Sequence, residues 1–358
     1  MTLKERFRTT ATLAGITLGA ALASACGGGE PETAAPGEPA AAADAAADRV
    51  VVYSARAEHL IKPIFDRYAE ETGVEVAYTT DKEQPLIQRL LAEGENTDAD
   101  VLLTVDAGNL WYAADQGVLR PVDSPVLEQN IPDHLQDPEN RWFALSVRAR
   151  TIVYSTERVD PAALSGYADL ADEEWQGRLC LRTSKKVYNQ SLVAMLIARY
   201  GEERTEEIVR GWVDNLATDV FSNDTRLVEA ILAGQCDVGI VNTYYFGRLQ
   251  KERGADIPAA LHWPSGETGG VHINVSGGGV TKHAPRPAAA VELLEWLSSP
   301  AAQEMFAGLN LEFPANPAVA SDPLVQAWGE FEASDMPVAQ AGELQAEAVR
   351  LMDRAGYR

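Results

Sequence analysis

The sequence predicts an α/β protein with two domains, built on a doubly wound sheet. Apolar strands alternate with amphipathic helices between residues 49 and 117, a pattern typical of strands joined by helical crossovers. The extended run 142–154 is too long for one ordinary strand and is expected to cross between domains. A glycine-rich extended run, 272–280, is expected to return the chain to the first domain.

The first domain is predicted from three strand–helix pairs. The strands are expected at 49–54, 74–78 and 100–104, and the helices at 57–72, 84–95 and 109–116. The first two helices repeat apolar residues at the spacing of one helical face, and Gly73 and Gly117 end the first and third helices as stop signals.

The second domain is predicted to begin after the first crossing. Strands are expected at 179–181 and 237–241, with helices at 187–200 and 204–217 and a third that runs to Leu232. Ser222, Asn223 and Asp224 form a capping sequence for the last of these helices. After the return crossing we expect helices at 286–297 and 300–309, and a helical remainder with proline breaks through Arg358.

The N-terminus has the pattern of an export signal. Residues 1–25 combine a basic start, an apolar segment at 11–23 and a small-residue cleavage site, Ala23-Ser24-Ala25. Cys26 follows at once and is predicted to be acylated as in a bacterial lipoprotein; simple secretion is the alternative. Residues 26–48 are rich in Gly, Pro and Ala without aromatic residues, so we expect a flexible tether.

Charge and motifs exclude several functions. The formal net charge is −23, which argues against nucleic-acid binding, because that needs a basic surface. An acidic surface suits solubility in salt or encounters with cations. The sequence contains neither the Cys-x-x-Cys and His-Glu-x-x-His metal motifs nor a Gly-x-Ser-x-Gly nucleophile elbow.

Cys180 and Cys236 are predicted to form a disulfide. An exported chain is in an oxidising compartment, and each cysteine precedes a tyrosine, Tyr188 or Tyr244, by eight residues. Adjacent strands of one sheet would bring the two cysteines together. Two buried free thiols are the alternative.

Two adjacent tyrosines, Tyr244 and Tyr245, lie where a predicted strand ends and a helix begins. In open α/β sheets this is where ligands bind. A phenol binds a metal only when the metal displaces its proton, which Fe³⁺ can do at neutral pH. Ordinary packing of two aromatic side chains is the alternative.

Six segments together resemble the periplasmic ferric-iron-binding proteins of bacterial ABC transporters, also called bacterial transferrins, in their cyanobacterial and marine branch. They are Val52–Arg56, Ala99–Ala107, Val147–Arg150, Tyr188–Ser191, Asn242–Tyr245 and Glu312–Pro317. The resemblance implies that Tyr188, Tyr244 and Tyr245 bind Fe³⁺. It also implies a permease partner, a periplasmic or membrane-anchored monomer, and no catalysis.

The resemblance further implies a type 2 periplasmic-binding-protein fold, with two lobes, discontinuous domains and a central ligand cleft. We expect the first lobe to comprise residues 49–148 and 271–322, and the second residues 149–270 and 323–358. Closure of the first lobe over the second would then bury the metal.

The chain departs from the family where many members have His or His-Tyr after Arg56. Ala57 cannot bind a metal, whereas Glu58 supplies a carboxylate and is expected to be a ligand. His59 is one position late and is expected on the solvated surface. Carbonate or water is expected to fill the remaining iron positions.

Three arginines are expected near the metal. Arg148 and Arg150 alternate on one strand and therefore point to the same face. With Arg56, they are candidates for holding carbonate through paired hydrogen bonds, or for offsetting phenolate charge. Exposed salt bridges are the alternative.

Two other functions fit the same fold. One is a binding protein for an organic or inorganic anion, with tyrosines lining the cleft. The other is an enzyme such as a tetrapyrrole-building deaminase, which needs a cytosolic chain and a cofactor-bearing cysteine in the cleft. The export signal and the placement of the cysteines in strands argue against it.

Overall fold

The computed structural model describes residues 48–358. The predicted signal peptide, the acylation site at Cys26 and all of the predicted tether except Asp48 lie outside the described residues. Among residues 48–358, no helix is both long and apolar enough to cross a membrane.

Strands and helices alternate along most of the described chain. The strands are β1 Arg49–Ser54, β2 Glu75–Thr80, β3 Val101–Val105, β4 Phe143–Ser155, β5 Leu179–Cys180, β6 Val238–Asn242, β7 Ala259–His262, β8 His272–Val280 and β9 Phe313–Pro314. The helices are α1 Glu58–Thr72, α2 Glu83–Glu93, α3 Ala107–Asp115, α4 Pro125–Asn130, α5 Val187–Tyr200, α6 Glu202–Asp214, α7 Asp224–Leu232, α8 Thr243–Arg253, α9 Pro287–Ser298, α10 Pro300–Asn310, α11 Pro323–Gln326, α12 Gln340–Glu343 and α13 Gln345–Arg354.

One mixed sheet contains all nine strands, in the order β2-β1-β3-β8-β4-β6-β5, with β7 and β9 also pairing with β4. The pairs β1–β2, β1–β3 and β5–β6 are parallel. Strands β4 and β8 are antiparallel to each other and stand between these two parallel groups. The two predicted crossings are therefore paired with each other at the centre of the sheet.

Strand β4 has 13 residues, and every one of them is buried. Its first half pairs with β8 and its second half with both β6 and β7. Because the strand is covered along its whole length, its polar residues must find partners inside the protein. Arg148 and Arg150 are two of these residues.

The predicted elements match the structure within a few residues, with exceptions near the C-terminus. The prediction of a helical remainder through Arg358 is wrong in part. Residues 313–314 form strand β9, and all of 327–339 lies outside any helix. Strands β7 and β9 and helix α4 were not predicted, because each is short and lacks a clear apolar period.

Buried apolar residues form two large clusters. The first draws on residues 50–147 and 273–339, and the second on residues 152–240 and 348–357. Trp142 lies in the first cluster, and Trp175 and Trp212 lie in the second; all three are almost fully buried. A separate group around Val241 and Phe246 packs beneath the start of α8.

The structure joins Cys180 and Cys236 in a disulfide, with the two Cα atoms 5.9 Å apart. Cys180 ends strand β5, and Cys236 lies two residues before strand β6, its parallel neighbour. The bond links the end of β5 to the segment that leads into β6, and the chain continues from these two strands to Tyr188 and Tyr244.

Candidate functional site

A cavity of about 300 Å³ opens beside the carboxyl ends of the central strands. It brings together side chains that are far apart in the sequence, from Ala55 to Glu312. Its lining comprises Ala55, Arg56, Ala57, His59, Leu60, Glu83, Val105, Arg148, Lys186, Tyr188, Tyr244, Tyr245, Arg248, Asn310 and Glu312. All three predicted tyrosines are among them.

Tyr244 and Tyr245 lie in the first turn of α8, directly after β6 ends at Asn242. Their ring centroids are 4.4 Å apart. Tyr244 is buried, and its phenol oxygen accepts a hydrogen bond from the side-chain nitrogen of Asn242 at 3.2 Å. Because strand and helix follow without a loop, both phenols are held at the same edge of the sheet.

Tyr188 reaches the same cavity from the start of α5. Its phenol interacts with that of Tyr244 and lies in the field of Arg148. The guanidinium of Arg182 and the ammonium of Lys186 lie over its ring, 5.3 and 5.6 Å from the centroid. The third phenol therefore approaches the other two from a different helix.

The residues after Tyr188 fix helix α5. Asn189 accepts hydrogen bonds from the guanidinium of Arg150 at 2.7 and 3.0 Å. The Ser191 hydroxyl donates to the carboxylate of buried Asp106 at 2.7 Å. Since Asp106 directly follows β3 and Arg150 lies in β4, these bonds tie the helix that carries Tyr188 to two strands of the sheet.

Burial favours the neutral form of these phenols. It raises the pKa of Tyr244 well above its usual range, and the neighbouring Tyr188 and Tyr245 raise it further. Burial also raises the pKa of Tyr188, although Arg148 opposes the rise. A ligand that binds the phenolates must therefore displace their protons.

Glu312 holds two of the predicted arginines. Its carboxylate is 3.1 Å from Arg56 and 3.4 Å from Arg148, and all three side chains are buried. Burial alone would raise the pKa of Glu312, but the two guanidinium groups lower it. The group carries one net positive charge at the cavity wall, since two cations share one carboxylate.

Arg150 is enclosed behind the cavity. Its guanidinium donates to Asp224 at 3.0 Å, to the side-chain oxygen of Asn242 at 3.1 Å, and to Asn189 and the carbonyl of Ile240. Arg150 is absent from the cavity lining given above. It acts on the site through Asn242 and Asn189, not by facing it.

Glu58 is placed differently from the expectation, whereas His59 is exposed as expected and also lines the cavity. Glu58 is exposed, and its carboxylate accepts a hydrogen bond from the hydroxyl of Tyr78 at 3.1 Å. Among the described residues that line the cavity, His59 and Glu83 are included and Glu58 is not. The structure therefore does not bring Glu58 together with the tyrosines.

Sequence reasoning missed Arg182, Glu83 and Arg248. Arg248 lies over the rings of Tyr244 and Tyr245, 5.2 and 5.6 Å from their centroids. Arg248 follows Tyr244 by four residues and Tyr245 by three, and side chains at these spacings are neighbours on a helix. This spacing could have predicted the contact. Arg182 follows strand β5 closely, so the rule for strand ends would have found it.

Three phenols among several arginines suit two kinds of ligand. Phenolate oxygens are hard donors for a small, highly charged cation. The arginines suit an anion, either alone or beside that cation. Within residues 48–358, no group of three or more His, Cys, Asp and Glu side chains is placed to hold a metal ion.

The amino-acid sequence is similar to those of known bacterial binding proteins. Residues 64–333 match the profile of the family described as bacterial extracellular solute-binding protein. The chain is 37% identical over 360 residues to iron uptake protein A1 of Synechocystis, covering 99% of this chain and 98% of the relative.

Solved structures agree with that sequence match. A Trichodesmium protein (IdiA, FutA) in complex with iron and citrate ligands is 38% identical, with a TM-score of 0.82 over 87% of this chain and 100% of that chain. The apo ferric ion-binding protein A of Pasteurella haemolytica is 37% identical, with a TM-score of 0.81 over 87% of this chain and 98% of that chain. These similarities confirm the predicted type 2 fold.

Proposed function

The chain belongs to the family of bacterial extracellular solute-binding proteins, and we propose that its solute is ferric iron, bound by Tyr188, Tyr244 and Tyr245. The similar proteins are named for iron uptake and ferric-ion binding, not for catalysis. We further propose that the chain delivers Fe³⁺ to the permease of an ABC transporter.

One observation carries this proposal: three phenols from two helices line a single cavity of about 300 Å³. Three tyrosines in one cavity do not suit most divalent cations, because the proton on each phenol is costly to remove. Fe³⁺ is acidic enough to displace it. A tyrosine-lined cavity therefore favours Fe³⁺ over Mg²⁺, Ca²⁺ or Zn²⁺.

Protons and Fe³⁺ compete for the phenol oxygens, so iron binding depends on pH. The pKa values of Tyr188 and Tyr244 are raised, so both phenols are neutral when the site is empty. Loading with iron releases these protons to solvent. Iron retention then weakens as pH falls, because protons compete with Fe³⁺ for the phenolates.

The remaining iron positions are proposed to be filled partly by an anion. Arg56 and Arg148 share one carboxylate, Glu312, and line the cavity with a surplus positive charge. Carbonate fits that charge, and the Trichodesmium relative holds citrate with its iron. His59 and Glu83 also face the cavity and are candidate ligands from its other wall.

We propose that the chain has two lobes, residues 49–148 with 271–322 and residues 149–270 with 323–358. The two large apolar clusters support this division, although Val338 and Ala339 belong to the first cluster. We propose that the protein is located in the periplasm or on the outer face of the membrane. Acylation of Cys26 and a monomeric state are part of the proposal.

The function is tested by metal analysis of the protein purified without chelators. We expect about one iron per chain and a visible absorption band from charge transfer between phenolate and Fe³⁺. A colourless protein that binds carbonate or an organic anion without iron would favour the anion-binding alternative. Iron bound without that band would place the metal away from the tyrosines.

A further inference from the structure

We propose that Arg182 is a positioning residue for the iron ligands, which orients Tyr245 and offsets the charge of Tyr188 and Tyr245. The inference rests on the proposed function and deepens it. Arg182 is 3% exposed and lies two residues after β5 ends. It is absent from the lining of the cavity, so it acts from behind the phenols.

The guanidinium of Arg182 touches two of the three tyrosines. Its Nη1 atom is 3.5 Å from the phenol oxygen of Tyr245. Its central carbon is 5.3 Å from the ring centroid of Tyr188 and 5.7 Å from that of Tyr245. One cation therefore stands between phenols that come from two different helices, α5 and α8.

Asp224 pairs with the same Nη1 atom that faces Tyr245. Its Oδ1 atom is 3.4 Å from Nη1 of Arg182, and the carboxylate is fully buried. The Oδ2 atom accepts from Arg150 and from the backbone nitrogen of Asn242, both at 3.0 Å. Asp224 is thus fixed by the strand that leads to the tyrosines, and it limits where Arg182 can point.

The backbone beside Arg182 is fixed as well. Its carbonyl oxygen accepts from the side-chain nitrogen of Asn189 at 2.9 Å and from the hydroxyl of Tyr357. Asn189 is next to Tyr188, so the two residues share one local structure. A side chain held at both ends loses little conformational entropy when a ligand binds nearby.

The positive charge of Arg182 can offset the negative charge that forms when iron binds. Binding of Fe³⁺ turns neutral phenols into phenolates that are close together in a buried site, where like charges repel strongly. Arg148 shares its carboxylate with Arg56, and Arg150 donates its hydrogen bonds to Asn189, Asn242 and Asp224 and not to a phenol. Arg182 is the guanidinium that contacts both Tyr188 and Tyr245, and its Nε atom makes no hydrogen bond within the described residues.

Arginine suits this role better than lysine. Its planar guanidinium lies 5.3 and 5.7 Å from the centroids of the two rings, whereas an ammonium is a compact point charge. Lysine at this position would keep the charge but would have no planar group to lie against both rings. We therefore expect Arg182→Lys to lie between the wild type and a neutral variant.

The test compares Arg182→Gln, Arg182→Met and Arg182→Lys in the full mature protein loaded with iron. The matched control is Arg178→Gln, which removes the same charge four residues earlier. Arg178 pairs with Asp237, which keeps Arg158 as a partner. Two quantities are measured: the wavelength of the visible charge-transfer band, and the rate at which EDTA removes iron.

We expect the neutral variants to shift the band to longer wavelength, because a phenolate without a nearby cation gives up its electron more easily. Iron should be lost about tenfold faster, the scale of one charge-assisted hydrogen bond. Arg182→Lys should give a smaller shift of the same sign. Arg178→Gln should match the wild type in both measurements.

A double variant separates positioning from general stability. In the background Tyr245→Phe, Arg182→Gln should speed iron loss less than it does in the wild type, because its hydrogen-bond partner is gone. If neither neutral variant folds, the proposal is tested on the charge-transfer band of Arg182→Lys alone. That variant keeps the positive charge and loses only the planar group. A band and a rate equal to those of Arg178→Gln overturn the proposal. A wild type without a phenolate band overturns the proposed function instead.

Discussion

The side chain of Asn242 links Arg150 to Tyr244. Its nitrogen donates to the phenol oxygen of Tyr244 at 3.2 Å, and its oxygen accepts from the guanidinium of Arg150 at 3.1 Å. Asn242 is also the last residue of β6. A buried arginine that does not line the cavity therefore sets the direction of a phenol that does.

This link predicts the effect of Asn242→Ala. Tyr244 would lose its hydrogen-bond donor, so iron should be released about tenfold faster to EDTA. Folding should survive, because Arg150 keeps Asn189 and Asp224 as partners. The matched control is Asn223→Ala, which removes the N-cap of α7. That variant should lose about 1 kcal/mol of stability with iron release unchanged.

The disulfide predicts a loss of stability on its removal. Cys180 and Cys236 are 56 residues apart in the sequence. The double variant Cys180→Ala, Cys236→Ala should unfold at lower denaturant concentration, with a cost of about 2–4 kcal/mol. Thiol titration of the unfolded, unreduced mature protein should find neither cysteine. Two reactive thiols would contradict the bond.

His272 predicts a component of acid sensitivity. Burial, aided by Arg150, lowers the pKa of His272 from 6.5 to about 3. Between these values the unfolded chain takes up a proton that the folded protein does not accept. The stability that this residue contributes is therefore complete above pH 6.5 and is lost as pH falls toward 3.

Replacement by an apolar residue should remove that component. Between pH 6 and 4, the unfolding free energy of His272→Leu should fall less steeply than that of the wild type, by about 1.4 kcal/mol per pH unit. Denaturant titrations at several pH values measure this slope. The same substitution at exposed His283 controls for the loss of a histidine as such. Identical slopes for His272→Leu and the wild type would refute the assignment.

The anion proposal predicts a dependence on bicarbonate. Arg148→Ala should weaken iron retention more in buffer with bicarbonate than without it, because the variant cannot use the anion. Glu312 keeps Arg56 as a partner, so the fold should tolerate the change. Exposed Arg49 provides the control, Arg49→Ala. Equal weakening in both buffers would leave Arg148 with a role in charge balance only.

Much of the fold was predictable because local signals agree with it. Helix α5 was predicted with its observed bounds, and the capping sequence at residues 222–224 correctly located the start of α7. The length of the predicted run 142–154 indicated that it was not an ordinary strand. In the structure this run is β4, which pairs with four other strands. The predicted fold class and the iron-transport class are confirmed by the similar proteins.

The site was less predictable, because side-chain direction there depends on neighbours far away in the sequence. Alternation placed Arg148 and Arg150 on one face of a strand, but only Arg148 reaches the cavity. The buried carboxylate of Asp224 draws Arg150 away from it. Glu58 is one residue from His59, yet Tyr78 holds it outside the cavity lining. Its role as a ligand stays a prediction.

The central claim is that the phenols of Tyr188, Tyr244 and Tyr245 bind the iron, and Phe at each position tests it most directly. The substitution keeps the ring and removes one oxygen, so folding should survive while iron affinity drops by orders of magnitude. The measurement is the visible band and iron content of each loaded variant beside the wild type. We predict a paler or shifted band and less iron in all three variants. Wild-type colour and iron stoichiometry in all three would contradict the account.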